Sequence, residues 1–407
     1  MKPIEIDGRV GEGGGQVVRV AICLAALTTQ PVIITNVRGN RGGGSQHVTS
    51  IRWLAEATDA EVEGLSVGSK TVSFSPRRAA SELMQRNIKI SADSGAASTL
   101  LILQAIFPFL LFSGNHSGDP VELEVSGGTN VSFSLSYDYL DLVLLPVLEE
   151  HFGIQVERRL IRRGWSLGPQ SRGSFWMKIR PLALGEQLHF KAAAPRTNQG
   201  PYEVTNVDVI MVVPSIVHEE LQNTLVKDLD VLFPGANVNF KLVEDSHLET
   251  RWYILLVAHS KDDRRFGKDY LGSMPKKGKM RGLFTAQVSD KLCRGLFEEV
   301  NHGGEVDEHL QDQLICFQAL CNGYSSFPRG DDPDEASFGV VIDALGNLDV
   351  GDSRMRKEKI HGPFGHGSLH TRTARFVVSE LLPAVEFYNK GDLVKGSGLL
   401  VESPVDG

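Results

Sequence analysis

The 407-residue chain has only four cysteines, Cys23, Cys293, Cys316 and Cys321, and they are scattered. No two stand at the short spacing of a zinc knuckle or a redox pair, which excludes a cysteine-built metal centre and suits reduced thiols in an intracellular compartment. No apolar run approaches the ~20 residues needed to cross a bilayer. Met1-Lys2-Pro3 leads straight into a strand-like "IEI", without an apolar signal core. An excess of cations is also missing: 42 Lys and Arg against 50 Asp and Glu leave a formal net charge of −8. That balance excludes a protein that coats nucleic acid non-specifically, so a nucleic-acid partner would have to be held by a local cluster. What is present is ordinary for a globular protein, 41% apolar and 23% charged residues. The length suggests two domains, or one large domain with an insertion.

The first eighty residues alternate. "PIEI" reads as a strand, and a glycine turn opens the helix "QVVRVAICLAALTT", which Pro31 stops. "VIITNV" is a β-branched strand. A second glycine loop leads into "HVTSIRWLAEATDA", where Val48, Ile51, Leu54 and Ala55 recur at helical spacing. "EVEGLSVGSKTVSFSP" reads as two strands, completing a β-α-β-α-β-β unit. The order recurs through "NIKISA", "DSGAASTLLILQAIFPFLLF", "PVELEV", "SYDYLDLVLLPVLEEHFG" and "IQVERRL". A third, degraded copy would include "SDKLCRGLFEEV", "DEHLQDQLICFQALCNG" and "HTRTARFVVSELLP" as helices. Repeats of this size predict an α/β (α+β) fold: a large domain of three pseudo-symmetric βαβαββ repeats, helices covering one face of each small sheet. Between the second and third copies the pattern changes, which predicts a smaller inserted α/β module. The expected boundaries are 1–185, 186–286 and 287–407, with a long loop over 325–367.

"GEGGGQ" is no Walker A loop, because no Gly-Lys-Ser/Thr follows it. Its glycines let a ligand approach the backbone, and the following helix offers free N–H groups to an anion. Glu12 in that turn would repel a phosphate unless a Mg²⁺ ion lay between them; alone, it could equally be an acid favoured by the helix dipole. Arg19 lies one turn into the helix, and Arg38 and Arg41 flank the end of the next strand, followed by Gln46 and His47. Single arginines are usually surface residues, but three converging from two glycine loops predict a pocket for a phosphorylated end, since guanidinium forks bind phosphate bidentately.

The stretches "DGRVGEGGGQVVR", "NVRGNR", "QHVTSIRWLAEAT", "SGGTNVSFSLSYDYL", "GGEVDEHLQDQL" and "SLHTRTARF" together resemble the RNA 3′-terminal phosphate cyclase family, in that family's order. The resemblance covers most of residues 1 to 160 and 300 to 385. It implies the same three-repeat fold with an inserted domain. It also implies an ATP-dependent reaction in which a histidine takes AMP from ATP, passes it to an RNA 3′-phosphate, and the neighbouring 2′-hydroxyl then closes a 2′,3′-cyclic phosphate.

By the same resemblance His370, in "SLHTRTA", is the nucleophile; for a histidine taken alone a surface or packing role would be expected. Glu12 would hold Mg²⁺ (or Mn²⁺), while Arg19, Arg38, Arg41 and Gln46 would position the RNA end. Gln104 and the segment His309, Leu310, Gln311, Asp312 and Gln313 would bind ATP, with Asp312 and Gln313 as its hydrogen-bonding members. His309 stands where the family usually has tyrosine, and Leu135 where proline is usual. The implied partner is an RNA with a 3′-phosphate end. A competing reading is the family's non-catalytic branch, an RNA-binding factor in ribosome assembly that lacks the nucleophile; His370, Glu12 and the arginines argue against it. Enolpyruvyl transfer, on a related repeat architecture, has no need of the "LHTRTA" histidine. The basic stretch Pro275 to Arg281, "PKKGKMR", reads as a solvated loop or a weak nuclear-import patch. The expected location is intracellular, in the nucleus, with the cytoplasm as the alternative.

Overall fold

Strand β1 (Ile4–Asp7), helix α1 (Gly15–Thr28), β2 (Val32–Thr35), α2 (Ser45–Thr58), β3 (Glu61–Glu63) and β4 (Thr71–Ser75) follow the order read from the sequence. The computed structural model describes residues 1–37, 45–94, 96–165, 170–192, 202–273, 281–329, 357–358 and 361–401, with Ser45, Gln46 and Arg281 described by backbone alone. Most of the long loop expected over 325–367 and of the basic stretch 275–281 therefore falls outside the described residues. In the first sheet β1 and β2 are parallel, β4 is antiparallel to β2 and β3, and the order is β1-β2-β4-β3.

The second repeat reproduces this plan with β5 (Asn87–Ser91), α3 (Thr99–Leu111), β6 (Val121–Gly127), α4 (Tyr137–Tyr139), α5 (Leu145–Phe152), β7 (Val156–Arg162) and β8 (Gly173–Ile179). Its sheet order is β5-β6-β8-β7, again with one parallel pair. Alternation explains the strands: Val121, Leu123 and Val125 of β6 and Phe175, Met177 and Ile179 of β8 are all buried, with half-buried residues between them. Between α4 and α5, Leu140–Leu144 winds as a π-turn, a distortion often found at functional sites.

The insertion comprises β9 (Val204–Val213), α6 (His218–Leu232), β10 (Asn237–Asp245), β11 (Trp252–Ser260), β12 (Arg265–Gly272) and α7 (Arg281–Asn301), with sheet order β10-β9-β11-β12. Both faces of this sheet are covered. Val207, Val209 and Met211 of β9 pack with α6 and α7, whereas Ile210, Val212, Tyr253 and Leu255 join the core of the large domain. One expectation fails here. The stretch "SDKLCRGLFEEV" is no third-repeat helix: it lies in α7, whose Val288, Leu292, Leu296 and Val300 form a stripe at four-residue spacing against the insertion's own core. The boundary expected at 286/287 falls inside that helix.

The third repeat keeps α8 (Glu308–Leu320), β13 (Tyr324–Ser326), α9 (Leu369–Leu381), β14 (Glu386–Tyr388) and β15 (Leu393–Lys395), as an antiparallel sheet β13-β15-β14. A parallel bridge between His189 and Asn322 stands where the other sheets have their parallel edge strand. The insertion thus interrupts the third repeat after its first strand. Helix α1 lies among α2, α3 and α9, so every residue from Gly15 to Leu27 is buried, which accounts for its apolar character all round.

Candidate active site

The turn before α1 is built around its glycines. Gly11 and Gly13 have φ of 65° and 59°, left-handed values that cost a side chain energy. A Cβ on Gly14 would lie 2.5 Å from a carboxylate oxygen of Glu12, and one on Gly15 would lie 2.4 Å from the His47 ring. The glycines thereby let Glu12 fold back over the helix start, where its Oε1 accepts from the Gln16 N–H at 2.7 Å. A buried carboxylate at a helix N-terminus is satisfied by such a donor and by the dipole.

Helix α9 meets this turn directly. The Glu12 N–H donates to Thr373 Oγ1 at 3.2 Å, and a Cβ on Gly11 would collide with the same oxygen at 2.0 Å. Ser368 caps α9 by accepting from the Thr371 N–H at 3.2 Å. His370, in the first turn, then places its Nδ1 3.9 Å from Glu12 Oε2 with the ring 45% exposed. The first and third repeats, 358 residues apart in sequence at Glu12 and His370, build one constellation.

A chain of hydrogen bonds carries the site across all three repeats. Arg19 on α1 donates through Nε to Gln104 Oε1 on α3 and through Nη2 to Gln16 Oε1, both at 2.6 Å. Gln16 Nε2 donates to Asp312 Oδ2 on α8 at 3.3 Å, as does Gln313 Nε2 at 3.1 Å. Burial pushes the Asp312 carboxyl above the usual range, opposed by His370, the Gln313 hydrogen bond, Arg19 and His309. The sign is testable. The charged acceptor that fixes Gln16 and Gln313 is lost as pH falls through this raised value. The acidic limb of the activity profile is therefore expected above the ordinary ~3.9 of an aspartate, and Asp312→Asn should flatten it; an unchanged limb in the variant would exclude Asp312 as its source.

These side chains line a cavity of about 820 Å³, within the ~300–1,000 Å³ typical of small-molecule sites. Glu12, Arg19, Gln104, His309, Asp312, Gln313 and His370 all face it. Leu310 and Gln311 do not: Leu310 is a core residue, and a Cβ on Gly367 would lie 2.1 Å from Gln311 Oε1, in the loop before α9. Helical periodicity turns these two away from the side that His309, Asp312 and Gln313 share. Arg38 and Arg41 lie outside the described residues, and Gln46 is described by backbone alone, in the first turn of α2. The cavity adds Gln16, His47 and Phe133, which lie in the motifs without an assigned role, and Asp269, which lies outside every motif.

A family model described as RNA 3′-terminal phosphate cyclase matches residues 10–383. The chain belongs to that family. Curated relatives include an RNA 3′-terminal phosphate cyclase of Staphylothermus marinus, 32% identical over 331 residues, 80% of this chain and 87% of the relative. That of Pyrococcus furiosus is 33% identical, over 79% of this chain and 86% of its own length. That of Methanopyrus kandleri is 31% identical, over 84% and 93%. The match to the cyclase family spans both the Glu12 turn and the α9 segment that bears His370, so the constellation lies inside the shared region. No helix among the described residues is long and apolar enough to cross a membrane.

Proposed function

We propose that this cyclase converts an RNA 3′-terminal phosphate into a 2′,3′-cyclic phosphate at the expense of ATP, with His370 carrying AMP between the two substrates. The observation that carries the reading is a half-exposed histidine at a helix start, opening beside Glu12 into a nucleotide-sized cavity crossed by the Arg19–Gln16–Asp312 network. With Nδ1 turned toward Glu12, Nε2 is the nitrogen available to attack the α-phosphorus of ATP. An N–P bond forms and the bond to pyrophosphate breaks. An oxygen of the RNA 3′-phosphate then displaces the imidazole, leaving AMP on the RNA end as a phosphoanhydride. Finally the 2′-hydroxyl of the same ribose attacks the 3′-phosphorus, AMP departs with its bonding electrons, and the hydroxyl proton passes to solvent. Activation is needed because a phosphate dianion repels nucleophiles and expels oxide poorly, whereas AMP leaves readily; the nucleophile comes positioned on the substrate.

Arg19 stabilises charge during transfer, and Arg38, Arg41 and Gln46 are assigned to the RNA phosphate on the resemblance of their motifs. Glu12 supplies one hard oxygen donor beside an imidazole, and no third His, Cys, Asp or Glu joins them among the described residues. That donor set fits Mg²⁺ or Mn²⁺, which commonly take one carboxylate and complete their shell with phosphates and water. Bound there, the ion would neutralise phosphate charge. The reading carries a nuclear setting for the enzyme, which imaging of the tagged chain tests; exclusion from the nucleus would overturn it.

The deciding experiment incubates the protein with ATP labelled at the α-phosphate and a divalent cation, then maps the label. Acid-labile label on the peptide bearing His370, abolished by a chelator, is expected. A folded protein that captures no label with either metal across pH would overturn the enzymatic reading in favour of a non-catalytic RNA-binding one.

A further inference from the structure

Strand β12 of the insertion is pressed against the wall of the nucleotide cavity. The Gly267 N–H donates to Asp307 Oδ2 at 2.8 Å, at the start of α8, and a Cβ on Gly267 would lie 2.5 Å from the Tyr139 ring. Only glycine permits that approach. Two residues on, and therefore on the same face of the strand, Asp269 lines the cavity together with Tyr139 and His309. Its partner across the sheet is Leu255, a core residue of that face.

The cavity lining is of two chemical kinds, polar residues such as Glu12, Arg19 and His370 and apolar ones such as Leu103, Phe107, Leu144 and Phe317. Strand β12, which bears Asp269, packs on the Leu140–Leu144 turn that supplies Leu144. Burial raises the Asp269 carboxyl, and the charges acting on it most strongly are His309, Lys268 and Asp307. Asp312 instead responds to His370, Arg19 and His309. Helix α8 links the two regions: Asp307 at its start meets Gly267 of β12, Asp312 further along meets Gln16 of α1, and His309 stands between them in the chain. A nucleotide with its phosphates at His370 would extend its base past His309 toward Asp269, where a flat ring covers apolar lining and replaces water. Ionised, the state that His309 and Lys268 favour against burial, the carboxyl on that wall is an acceptor with no use for another acceptor.

We propose that Asp269, supplied by the inserted module, determines base specificity by accepting a hydrogen bond from the exocyclic amino group of the nucleotide base and rejecting a base that presents a carbonyl there. The proposal rests on the reading that a nucleotide fills this cavity. It gives the insertion a part in substrate choice, because Asp269 is the residue that the insertion contributes to the cavity wall.

The test is equilibrium binding of ATP and of inosine triphosphate, which differ at the amino position, measured by calorimetry on the wild type, Asp269→Asn and Asp269→Ser. Binding needs no chemistry, so its outcome stands apart from whether His370 captures AMP. Wild type should prefer ATP by ~10-fold or more, as expected for loss of one well-made base contact. Asp269→Asn, which can donate to the carbonyl, should lose most of that preference and gain affinity for the inosine nucleotide. Asp269→Ser should lower the preference without the gain. Equal preference in all three proteins, or no binding of either nucleotide by wild type, would overturn the assignment. Covalent capture failing while the preference shifts would overturn the proposed reaction and leave Asp269 in place.

Discussion

Replacing His370 by alanine should abolish covalent AMP capture and lower ATP-driven cyclisation by ~10⁴-fold or more, the scale on which an essential nucleophile counts. Stability should scarcely move. The ring is 45% exposed and approaches Glu12 only at 3.9 Å, so little buried surface and no hydrogen bond at that distance are lost. The sharper part of the expectation concerns the last step. Once the RNA end carries AMP, closure needs only the 2′-hydroxyl, the positioned phosphate and a good leaving group. His370→Ala supplied with a pre-adenylylated RNA end should therefore still form the cyclic product, within about tenfold of wild type. Arg19→Ala should fail on both substrates, because in the proposed scheme its guanidinium, held by Gln16 and Gln104 at 2.6 Å, stabilises the transferring phosphates in each step. Loss of closure in His370→Ala with the fold intact would mean that the histidine also acts as an acid or base in closure, and the three-step scheme would need revision.

Much of this site can be read in the sequence, and the reasons are local. Glu12 is marked by the resemblance of its motif, since in the turn alone an acid favoured by the helix dipole fits equally well; Gly14 and Gly15 leave no room for side chains beside Glu12 and His47. The repeat order is equally legible, since strand alternation and helix periodicity are short-range signals. Two features escape for the opposite reason. Helix α7 has the same amphipathic spacing as a repeat helix, and nothing local says which sheet its Leu292 and Leu296 will cover. Asp269 sits in "RRFGKDYLG", a stretch without pattern, and enters the cavity only because the insertion's sheet turns its second face to the large domain. That docking is a tertiary fact with no sequence period. Gln311 shows the limit of carrying a motif over whole: inside "HLQDQL" the helix gives His309, Asp312 and Gln313 to the cavity and Leu310, Gln311 and Leu314 to the interior.

The residue that joins insertion, second repeat and third repeat is Asp307, and its loss should be the costliest structural change near the site. Its carboxylate is fully buried. Oδ1 accepts from the His309 and Leu310 N–H groups at 3.0 and 2.9 Å, capping α8, and from the Tyr139 hydroxyl at 2.6 Å; Oδ2 accepts from the Gly267 N–H at 2.8 Å. Asp307→Ala would strip four donors of one acceptor in a place water does not reach. A lost cap costs ~1 kcal/mol, and each buried donor left unpaired a further ~1–3 kcal/mol. Because the groups share one carboxylate these terms will not add fully, and a total of ~3–5 kcal/mol is expected in denaturant unfolding. Asp307→Ser separates the parts. A serine can cap α8 but is too short to reach Tyr139 and Gly267 as well, so it should recover only the ~1 kcal/mol of the cap. Nucleotide affinity should fall in both variants, since Asp307 fixes the helix start that bears His309 and the strand that bears Asp269. Full recovery of stability and affinity by serine would show that the cap alone matters, and that the insertion is held against the cavity by its apolar face without help from this carboxylate.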